Sequence, residues 1–354
     1  MSYKFPAEDV NWKKFPRAAA CPLAKSWLTI QANFGLAPNT IDAYARGLDI
    51  YLQFCESNCI AIEATTRAHV AAYIRHLLSS KKAHNQSQVQ VASDATLSNA
   101  TLQQRLTALR LFFGYLVEEG IQVYNPVGRG CYGRANLSGI GAERGLIPRY
   151  RKLPWIPSDA QWDAILEAAC QEPVRNRLML ALSYDSALRR EELCSLETKD
   201  IDPSHRMIRI RAETTKNRQE RIVPYSIVSN ELYMSYLEQR RKISQRRGPL
   251  FLSESRRNKA EPVSVWTWSK AISGIAARAG VKQFTTHTLR HLCLTDLARA
   301  NWDIHEIATF AGHRSIQTTL LYIHLSGRDL AHKLEQGMAQ IHAWRISKIG
   351  ASLR

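Results

Sequence analysis

The chain has 354 residues, of which 48 are Lys or Arg and 31 are Asp or Glu, so its formal charge at pH 7 is +17. Hydrophobic residues make up 45% and charged residues 22%. This composition excludes wholesale disorder and, at about 150 residues per domain, allows two domains with a core in each. The charge favours a polyanionic partner, with nucleic acid ahead of an anionic membrane surface.

The sequence argues against a membrane protein and against a disulfide-bonded one. The longest apolar runs, such as residues 178–182, are far shorter than the ~18 residues that span a bilayer. The first residues lack the apolar segment of a secretion signal, so we expect a cytoplasmic protein. The 7 cysteines form no C-x-x-C pair, which predicts reduced thiols. Cys55 and Cys59 lie four apart, but no second Cys or His pair nearby completes a zinc site.

The first third of the chain predicts a helical domain. Residues 1–22 mix proline, lysine and aromatic residues without periodicity, which predicts a loosely ordered N-terminal arm. Apolar residues spaced three and four apart then predict helices near residues 26–34, 38–55, 66–78 and 102–117, with a polar loop over 79–98. We therefore expect an all-helical domain over residues 23–125.

The remainder predicts a basic linker and a second domain. Glycine, proline and basic residues without periodicity mark residues 126–157 as the linker. A capping box at Ser158 opens a helix, and a second helix follows over 173–186. Alternation in 207–211 and 221–224 predicts a β-hairpin, and helical spacing returns after Glu231.

The expected fold class is therefore mainly α. The second domain, residues 158–354, is predicted to be mostly helical with a small antiparallel sheet. It ends in a tail helix marked by apolar residues at helical spacing, namely Leu330, Leu334, Met338, Ile341 and Trp344.

Short clusters in the second domain carry residues that suit chemistry on an anion. Arg189 with Glu192, Lys216 in the hairpin turn, and Tyr322 each also fit a plain structural role: a solvated helix start, an exposed turn lysine and a core tyrosine. In the remaining clusters, imidazoles stand close to basic side chains. Their combination and order, more than any single residue, indicate a shared site.

The cluster at residues 287–291 allows two interpretations. His287 and Arg290 lie three apart on a predicted helix, so an imidazole and a guanidinium can converge on one anion. His287 and His291 lie four apart, which raises a metal site. Arg290 would repel a cation, however, and no H-E-x-x-H glutamate is present. We therefore expect no metal and no cofactor.

Taken in order, these clusters resemble the signature of the tyrosine recombinase (phage integrase) family. The most specific segments are Thr-His-Thr-Leu-Arg-His at 286–291 and Gly-His-Arg-Ser-Ile-Gln-Thr-Thr-Leu-Leu-Tyr at 312–322. The resemblance covers nearly the whole chain and implies a core-binding domain followed by a catalytic domain. The departures are Ala187 where glycine is usual, Ala311 where leucine is usual and Arg190 where an apolar residue is common. They bear on packing more than on activity.

The resemblance assigns a role to each of these residues. It implies that Tyr322 is the nucleophile, that Arg189 and Arg290 hold the scissile phosphate, and that Glu192 supports Arg189. Lys216 matches the hairpin lysine, which can protonate the leaving 5′ oxygen. His287 and His313 match the active-site histidines. We interpret His287 as the first candidate for the base and His313 as a donor to phosphate.

Basic residues spread over both domains are expected to bind the phosphates of duplex DNA. The candidates for DNA binding are Arg46, Arg105, Arg134, Arg149, Arg151, Lys152, Arg240, Arg241, Arg256 and Arg257. Each phosphate they neutralise should steepen the salt dependence of binding by about 0.9 in log–log slope.

The predicted function is site-specific recombination through a 3′-phosphotyrosine, in the integration or excision of a mobile element. The alternatives are a non-catalytic sequence-specific DNA-binding protein and a type IB topoisomerase-like enzyme. The expected partners are a duplex DNA site, further copies of the chain as a dimer on each site and a tetrameric synapse, and accessory DNA-bending proteins. The tail helix packs either on its own domain or, as the resemblance implies, on a neighbouring protomer.

Overall fold

The computed structural model describes residues 10–79, 97–128, 153–215 and 217–325, together with residues 341, 343–345 and 347–349. The chain divides into two compact units, residues 1–151 and 152–354. The division lies within the predicted linker. Among the helices of the described residues, none is long and apolar enough to span a membrane.

The regular elements in the described part of the first unit are all helices, as predicted. Proline at the first helical position, where its missing N–H has no intrahelical partner, begins α1, α2 and α3. Gly47 of α3 lets α5 approach closely, since a Cβ there would lie 3.3 Å from that of Ala108. The helices are α1 (Pro16–Ala20), α2 (Pro22–Asn33), α3 (Pro38–Ser57), α4 (Arg67–Ser79) and α5 (Asn99–Glu118).

Aromatic side chains form the centre of the first unit's core. Tyr51, Tyr73 and Phe113 are fully buried, and the Tyr51 ring meets the Tyr73 ring edge-on at 4.9 Å between centroids. Tyr51 also contacts Phe113 edge-on at 5.9 Å. Such pairs contribute about 0.5–1.5 kcal/mol each beyond the burial of their area.

The loose arm expected over residues 1–22 is wrong for residues 10–22. Val10, Phe15 and Ala18 are buried in the first unit's core. The Asp49 carboxylate accepts hydrogen bonds from the backbone N–H groups of Arg17 and Ala18, at 2.8 and 3.0 Å, and so satisfies the start of α1. A helix this short has no periodicity to read, and its stabilising partner lies some 30 residues away in the chain.

The second unit combines helices with a small antiparallel sheet, as predicted. The sheet has the order β1-β2-β3, with β1 adding a strand to the predicted hairpin. Ile208 lies opposite Ile201 and Val223, and all of these are buried. The elements are α6 (Asp159–Cys170), α7 (Val174–Asp185), α8 (Arg190–Cys194), β1 (Ile201–Asp202), β2 (Met207–Ile210), β3 (Arg221–Pro224), α9 (Ile227–Ile243), α10 (Val265–Arg278), α11 (Thr286–Arg299), α12 (Ile304–Ala311) and α13 (Ile316–Leu325).

Local sequence explains where several of these helices begin. Ser158 and Gln161 form the predicted capping box of α6, each side chain accepting the other's backbone N–H. Asp303 and Glu306 do the same for α12. Gly312 ends α12 with φ +63°, the left-handed conformation that glycine adopts most easily.

The tail is helical at its described residues. Ile341 is 45% exposed and Trp344 is 63% exposed. The remaining predicted tail positions, Leu330, Leu334 and Met338, lie outside the described residues.

Candidate active site

Arg290 is the buried arginine of the candidate site. It lies on α11, is buried, and donates from Nη1 to the Ala187 carbonyl at 2.5 Å and from Nη2 to the Ala311 carbonyl at 2.6 Å. Burial lowers the pKa of Arg290 to about 10, with a further contribution from Arg189, so the guanidinium stays charged at pH 7. These bonds hold one permanent cation in a fixed orientation and leave further N–H groups for an anion.

The two alanines that hold Arg290 are positions where the family pattern differs. Ala187 is fully buried and has φ +46°, a left-handed conformation that costs a residue with a Cβ about 1–2 kcal/mol. In that conformation its carbonyl reaches Arg290. Glycine is usual here because it takes this backbone conformation without strain.

Glu192 connects two further arginines to the site. Its carboxylate accepts hydrogen bonds from Arg189, at 3.0 Å from the backbone N and 2.7 Å from Nη1, and from Arg221, at 3.1 Å from Nη1 and 2.7 Å from Nη2. Burial alone would raise the pKa of Glu192, but the hydrogen bonds and charge of Arg221, followed by those of Arg189, outweigh it and hold the pKa at about 2. Glu192 is therefore ionised and orients Arg189, as the resemblance implies.

Arg221 is a member of the site that the sequence pattern did not identify. Besides its bonds to Glu192, it donates from Nε to the Phe310 carbonyl at 3.1 Å. It also lies beside Gly312, where a Cβ would come within 3.1 Å of its Cδ. A signal was available, because strand alternation places Arg221 on the same face of β3 as the buried Val223.

The candidate nucleophile lies among histidines. Tyr322, on α13, is 3% exposed, and its hydroxyl lies 3.0 Å from Nδ1 of His291. The His313 ring stacks on the Tyr322 ring with centroids 6.0 Å apart, while its Nδ1 lies 2.9 Å from Oγ1 of Thr319. Burial raises the pKa of Tyr322 against the opposing effect of Arg290, so the phenol keeps its proton at neutral pH.

The structure places His291, not His287, at the phenol hydroxyl. His287 lies one turn earlier on α11, is exposed, and has its ring centroid 6.2 Å from that of His291. Burial, with His287 and Arg290, lowers the pKa of His291 to about 4. Burial, with Arg290 and Arg189, lowers the pKa of His313 to about 3. Both imidazoles are therefore neutral at pH 7. The identification of His287 as the first candidate for the base has no contact to support it.

A cleft of about 360 Å³ opens beside Arg189 and His313. Asn217 lines it and donates from Nδ2 to the Gly312 carbonyl at 3.1 Å, which ties the β2–β3 turn to the end of α12. Lys216 lies outside the described residues, so its role in the site stays a prediction. Its neighbours Thr215 and Asn217 both line the cleft.

The arrangement suits attack on a phosphodiester. Arg189 and Arg221 lie close enough to Arg290 to add to the lowering of its pKa that burial causes, and one carboxylate, Glu192, lies among the three arginines. A surplus of positive charge of this kind stabilises phosphate oxygens as they gain charge in a transition state. A protonated tyrosine with an imidazole at its hydroxyl supplies the nucleophile.

Among the candidate DNA-binding residues, Arg240 is a correction. Its guanidinium is buried in the second unit and donates to the carbonyls of Ser244, Arg246, Pro249 and Leu250, so it is not available to phosphate. The sequence could not distinguish it from its neighbour Arg241, which is exposed on the same helix.

The other candidates stay predictions. Arg46 and Arg105 line a cleft of about 310 Å³ between α3 and α5 in the first unit. Arg256 and Arg257 are exposed in the second unit. Outside the described residues lie Arg134, Arg149, Arg151 and Lys152.

Sequence comparisons match both halves of the chain to known families. Residues 158–328 match the phage integrase family, and residues 25–120 match the phage integrase N-terminal SAM-like domain. The chain is 28% identical over 317 residues to tyrosine recombinase XerC of Herpetosiphon aurantiacus, covering 88% of this chain and 92% of the relative. It is 30% identical over 248 residues to tyrosine recombinase XerC of Thermodesulfovibrio yellowstonii, covering 67% and 74%.

Solved structures share the fold. The XerH site-specific recombinase bound to palindromic difH substrate, in a post-cleavage complex, matches with a TM-score of 0.65 at 20% identity, covering 93% of this chain and 90% of that one. The Tn1549 transposon integrase in complex with a circular intermediate DNA matches with a TM-score of 0.59 at 17% identity, covering 85% and 93%.

Proposed function

Because the chain belongs to the phage integrase family and is an enzyme of the tyrosine recombinase type, we propose that it cleaves and rejoins duplex DNA at a specific site through a 3′-phosphotyrosine on Tyr322. We propose further that the reaction integrates or excises a mobile element. The observation that carries the first proposal is the buried Tyr322 hydroxyl, which lies beside His291 and within the electrostatic influence of Arg290 and Arg189.

The arginines bind the phosphodiester and stabilise the transition state. Arg290 donates to two carbonyls and Arg189 to Glu192, so both approach the phosphate with fixed orientation. Guanidinium forks match phosphate oxygens in pairs of hydrogen bonds. The charge that develops on the non-bridging oxygens is met by cations already in place.

The chemical step exchanges one phosphoester bond for another. The Tyr322 oxygen loses its proton and bonds to phosphorus, while the bond from phosphorus to the 5′ oxygen breaks. The departing 5′ oxygen takes a proton, which the resemblance assigns to Lys216. Because the phosphotyrosine conserves the ester bond, a 5′-hydroxyl from a second DNA strand can reverse the step on a new partner.

Assembly on DNA is part of the same proposal. We propose a dimer on each site and a tetrameric synapse, with accessory DNA-bending proteins as further partners. The exposure of Ile341 and Trp344 supports docking of the tail on a neighbouring protomer. Deleting residues 329–354 should then abolish cooperative assembly and recombination while leaving folding unchanged. If both survived the deletion, tail docking would be excluded. The cytoplasmic location stays a prediction.

Covalent capture tests the function without knowledge of the target sequence. Nicked duplex fragments from a library of the host's genomic DNA are incubated with the chain and boiled in detergent, and the DNA that stays attached to protein is sequenced. We expect a recurring site, absent for Tyr322→Phe although that variant still shifts the same DNA in a gel. Binding without any adduct would favour the non-catalytic alternative.

The recovered site also separates the remaining candidates. Joining of two different DNA molecules that carry the site supports recombination. Relaxation of supercoils without joining supports the topoisomerase-like alternative. The mobile-element role requires that the sites lie at the ends of a discrete insertion, and a single site present in genomes without any insertion would contradict it.

A further inference from the structure

The Tyr322 hydroxyl has a specific polar partner in the second unit. Nδ1 of His291 lies 3.0 Å from it, and the two rings lie with centroids 5.8 Å apart. Tyr322 carries its proton, so its hydroxyl can donate this bond to Nδ1 when His291 is in the tautomer with its proton on Nε2, which is the tautomer that proton transfer requires. The group that can receive the phenol proton is therefore already aligned.

His291 is surrounded by ionisable groups of the second unit. It lies on α11 directly after Arg290, and its backbone carbonyl accepts the Thr295 hydroxyl at 2.8 Å. The titratable or charged groups that face it are His287 and Arg290 on its own helix, and Tyr322 with His313 from the segment that includes α13. Apart from the phenol, these neighbours are cationic or can become so, and they oppose a proton on His291.

The charges around His291 determine when it can act as a base. In the free chain, burial lowers the pKa of His291, and His287 and Arg290 lower it further. The imidazole therefore does not take the proton of the phenol, and no phenolate forms. A phosphodiester held by Arg189 and Arg290 would bring a negative charge beside those guanidiniums. It would offset the repulsion that opposes a proton on His291. The DNA backbone would thus raise the proton affinity of the imidazole only where cleavage is to occur.

We propose that His291 is the general base of the cleavage step and that the bound scissile phosphate activates it. This proposal rests on the proposed function. As the Tyr322 oxygen bonds to phosphorus, its proton passes to Nδ1 of His291 and the bond from phosphorus to the 5′ oxygen breaks. In the rejoining step, the imidazolium returns that proton to the Tyr322 oxygen as the phosphotyrosine bond breaks.

His291→Asn separates proton transfer from positioning. The Asn side chain places an amide oxygen about where Nδ1 stands, so it still accepts a hydrogen bond from the phenol, but it does not take up a proton at neutral pH. On the nicked duplex recovered by covalent capture, we expect single-turnover adduct formation to fall about 10²–10⁴-fold, with gel-shift affinity unchanged. His287→Asn is the matched control, the same substitution one turn earlier on the same helix.

The dependence of the rate on pH gives a readout that a structural role would not alter. In the wild-type chain the rate should level off above the pKa of DNA-bound His291. In His291→Asn it should keep rising about tenfold per pH unit, because the phenol must then lose its proton to solvent. In His287→Asn the rate should still level off at high pH, whatever the substitution does to the absolute value of the rate.

Three outcomes would overturn the inference. A wild-type rate in His291→Asn would show that a hydrogen bond suffices. If the rate no longer levelled off at high pH in His287→Asn but still did so in His291→Asn, His287 would be the base. If the wild-type chain forms no adduct at all, the proposed function fails and this inference fails with it. The first two outcomes leave the proposed function intact.

Discussion

Glu192→Gln should destabilise the second unit strongly at neutral pH. The Glu192 side chain is 1% exposed and is shared between Arg189 and Arg221. The amide has a single oxygen to accept hydrogen bonds, and its NH₂ group faces guanidinium donors. Two cations close to Arg290 would then lose their counter-charge.

The pKa of Glu192 gives the size of the expected destabilisation. It is about 2 in the folded chain against an ordinary 4.5. The difference of about 2.5 corresponds to about 3 kcal/mol at 1.36 kcal/mol for each factor of ten. Because the folded pKa is the lower one, this stability is fully present above pH 4.5 and is lost as the pH falls through about 2. The same two values leave about 1.4 kcal/mol at pH 3.

The assay compares the free energy of unfolding of the wild-type and variant chains. Urea-dependent hydrogen exchange read by mass spectrometry reports the second unit separately from the first. The free energy of unfolding of the second unit should be about 3 kcal/mol higher in the wild-type chain than in Glu192→Gln at pH 7, and about half of that at pH 3. Glu191→Gln is the matched control. Glu191 is exposed and pairs with the partly exposed Arg190, so the free energy of unfolding of Glu191→Gln should stay within about 0.5 kcal/mol of the wild-type value.

Two results would refute this reasoning. One is a cost for Glu192→Gln no larger than that for Glu191→Gln at pH 7. The other is a difference between wild type and Glu192→Gln that does not shrink between pH 7 and pH 3. The carboxylate would then contribute packing alone, and its charge would not hold Arg189.

Other substitutions test the backbone, a buried arginine and the phosphate site. Ala187→Gly removes the strain of φ +46° and should raise the free energy of unfolding by about 0.5–1 kcal/mol in urea titrations; a decrease would contradict the strain argument. Arg240→Met should cost several kcal/mol because it leaves buried carbonyls unpaired, whereas Arg241→Met should leave stability unchanged. If Arg241 contacts phosphate, its substitution should reduce the log–log salt slope of DNA binding by about 0.9; equal stability losses at both positions would contradict the assignment. Arg290→Lys should lower adduct formation at least 10²-fold in the covalent capture assay, since a single ammonium nitrogen lacks the planar fork that reaches both carbonyls and offers paired donors to a phosphate; an unchanged rate would show that a point charge suffices.

Sequence patterns predicted the fold class and most of the site because both depend on local order along the chain. The 3.6-residue period shows which segments are helices and which face is buried, and in the first unit it predicted the helices α2 to α5 but not the five-residue α1. The order of Arg189, Arg290, His313 and Tyr322, with Glu192 three residues after the first of them, identified the chemistry. The structure adds that these residues share one site.

Tertiary structure decided which of several similar residues contacts the phenol and which is enclosed by the backbone. His287 and His291 lie on one face of α11, and only the packing of α13 against that helix brings the Tyr322 hydroxyl to one of them. Arg240 and Arg241 are adjacent basic residues, yet only the first is enclosed by backbone carbonyls.

Long-range contacts explain what local patterns could not reach. Arg221 joins the site through Glu192, a residue 29 positions away, and the short helix at Pro16–Ala20 is held by Asp49 about as far along the chain. Spacing in a sequence reports which residues share one element. It does not report which elements touch, because that depends on the summed packing of the whole unit. The sequence alone thus indicated most of the candidate reactive groups, and the tertiary structure determined which imidazole lies at the phenol and which arginine is enclosed by backbone carbonyls.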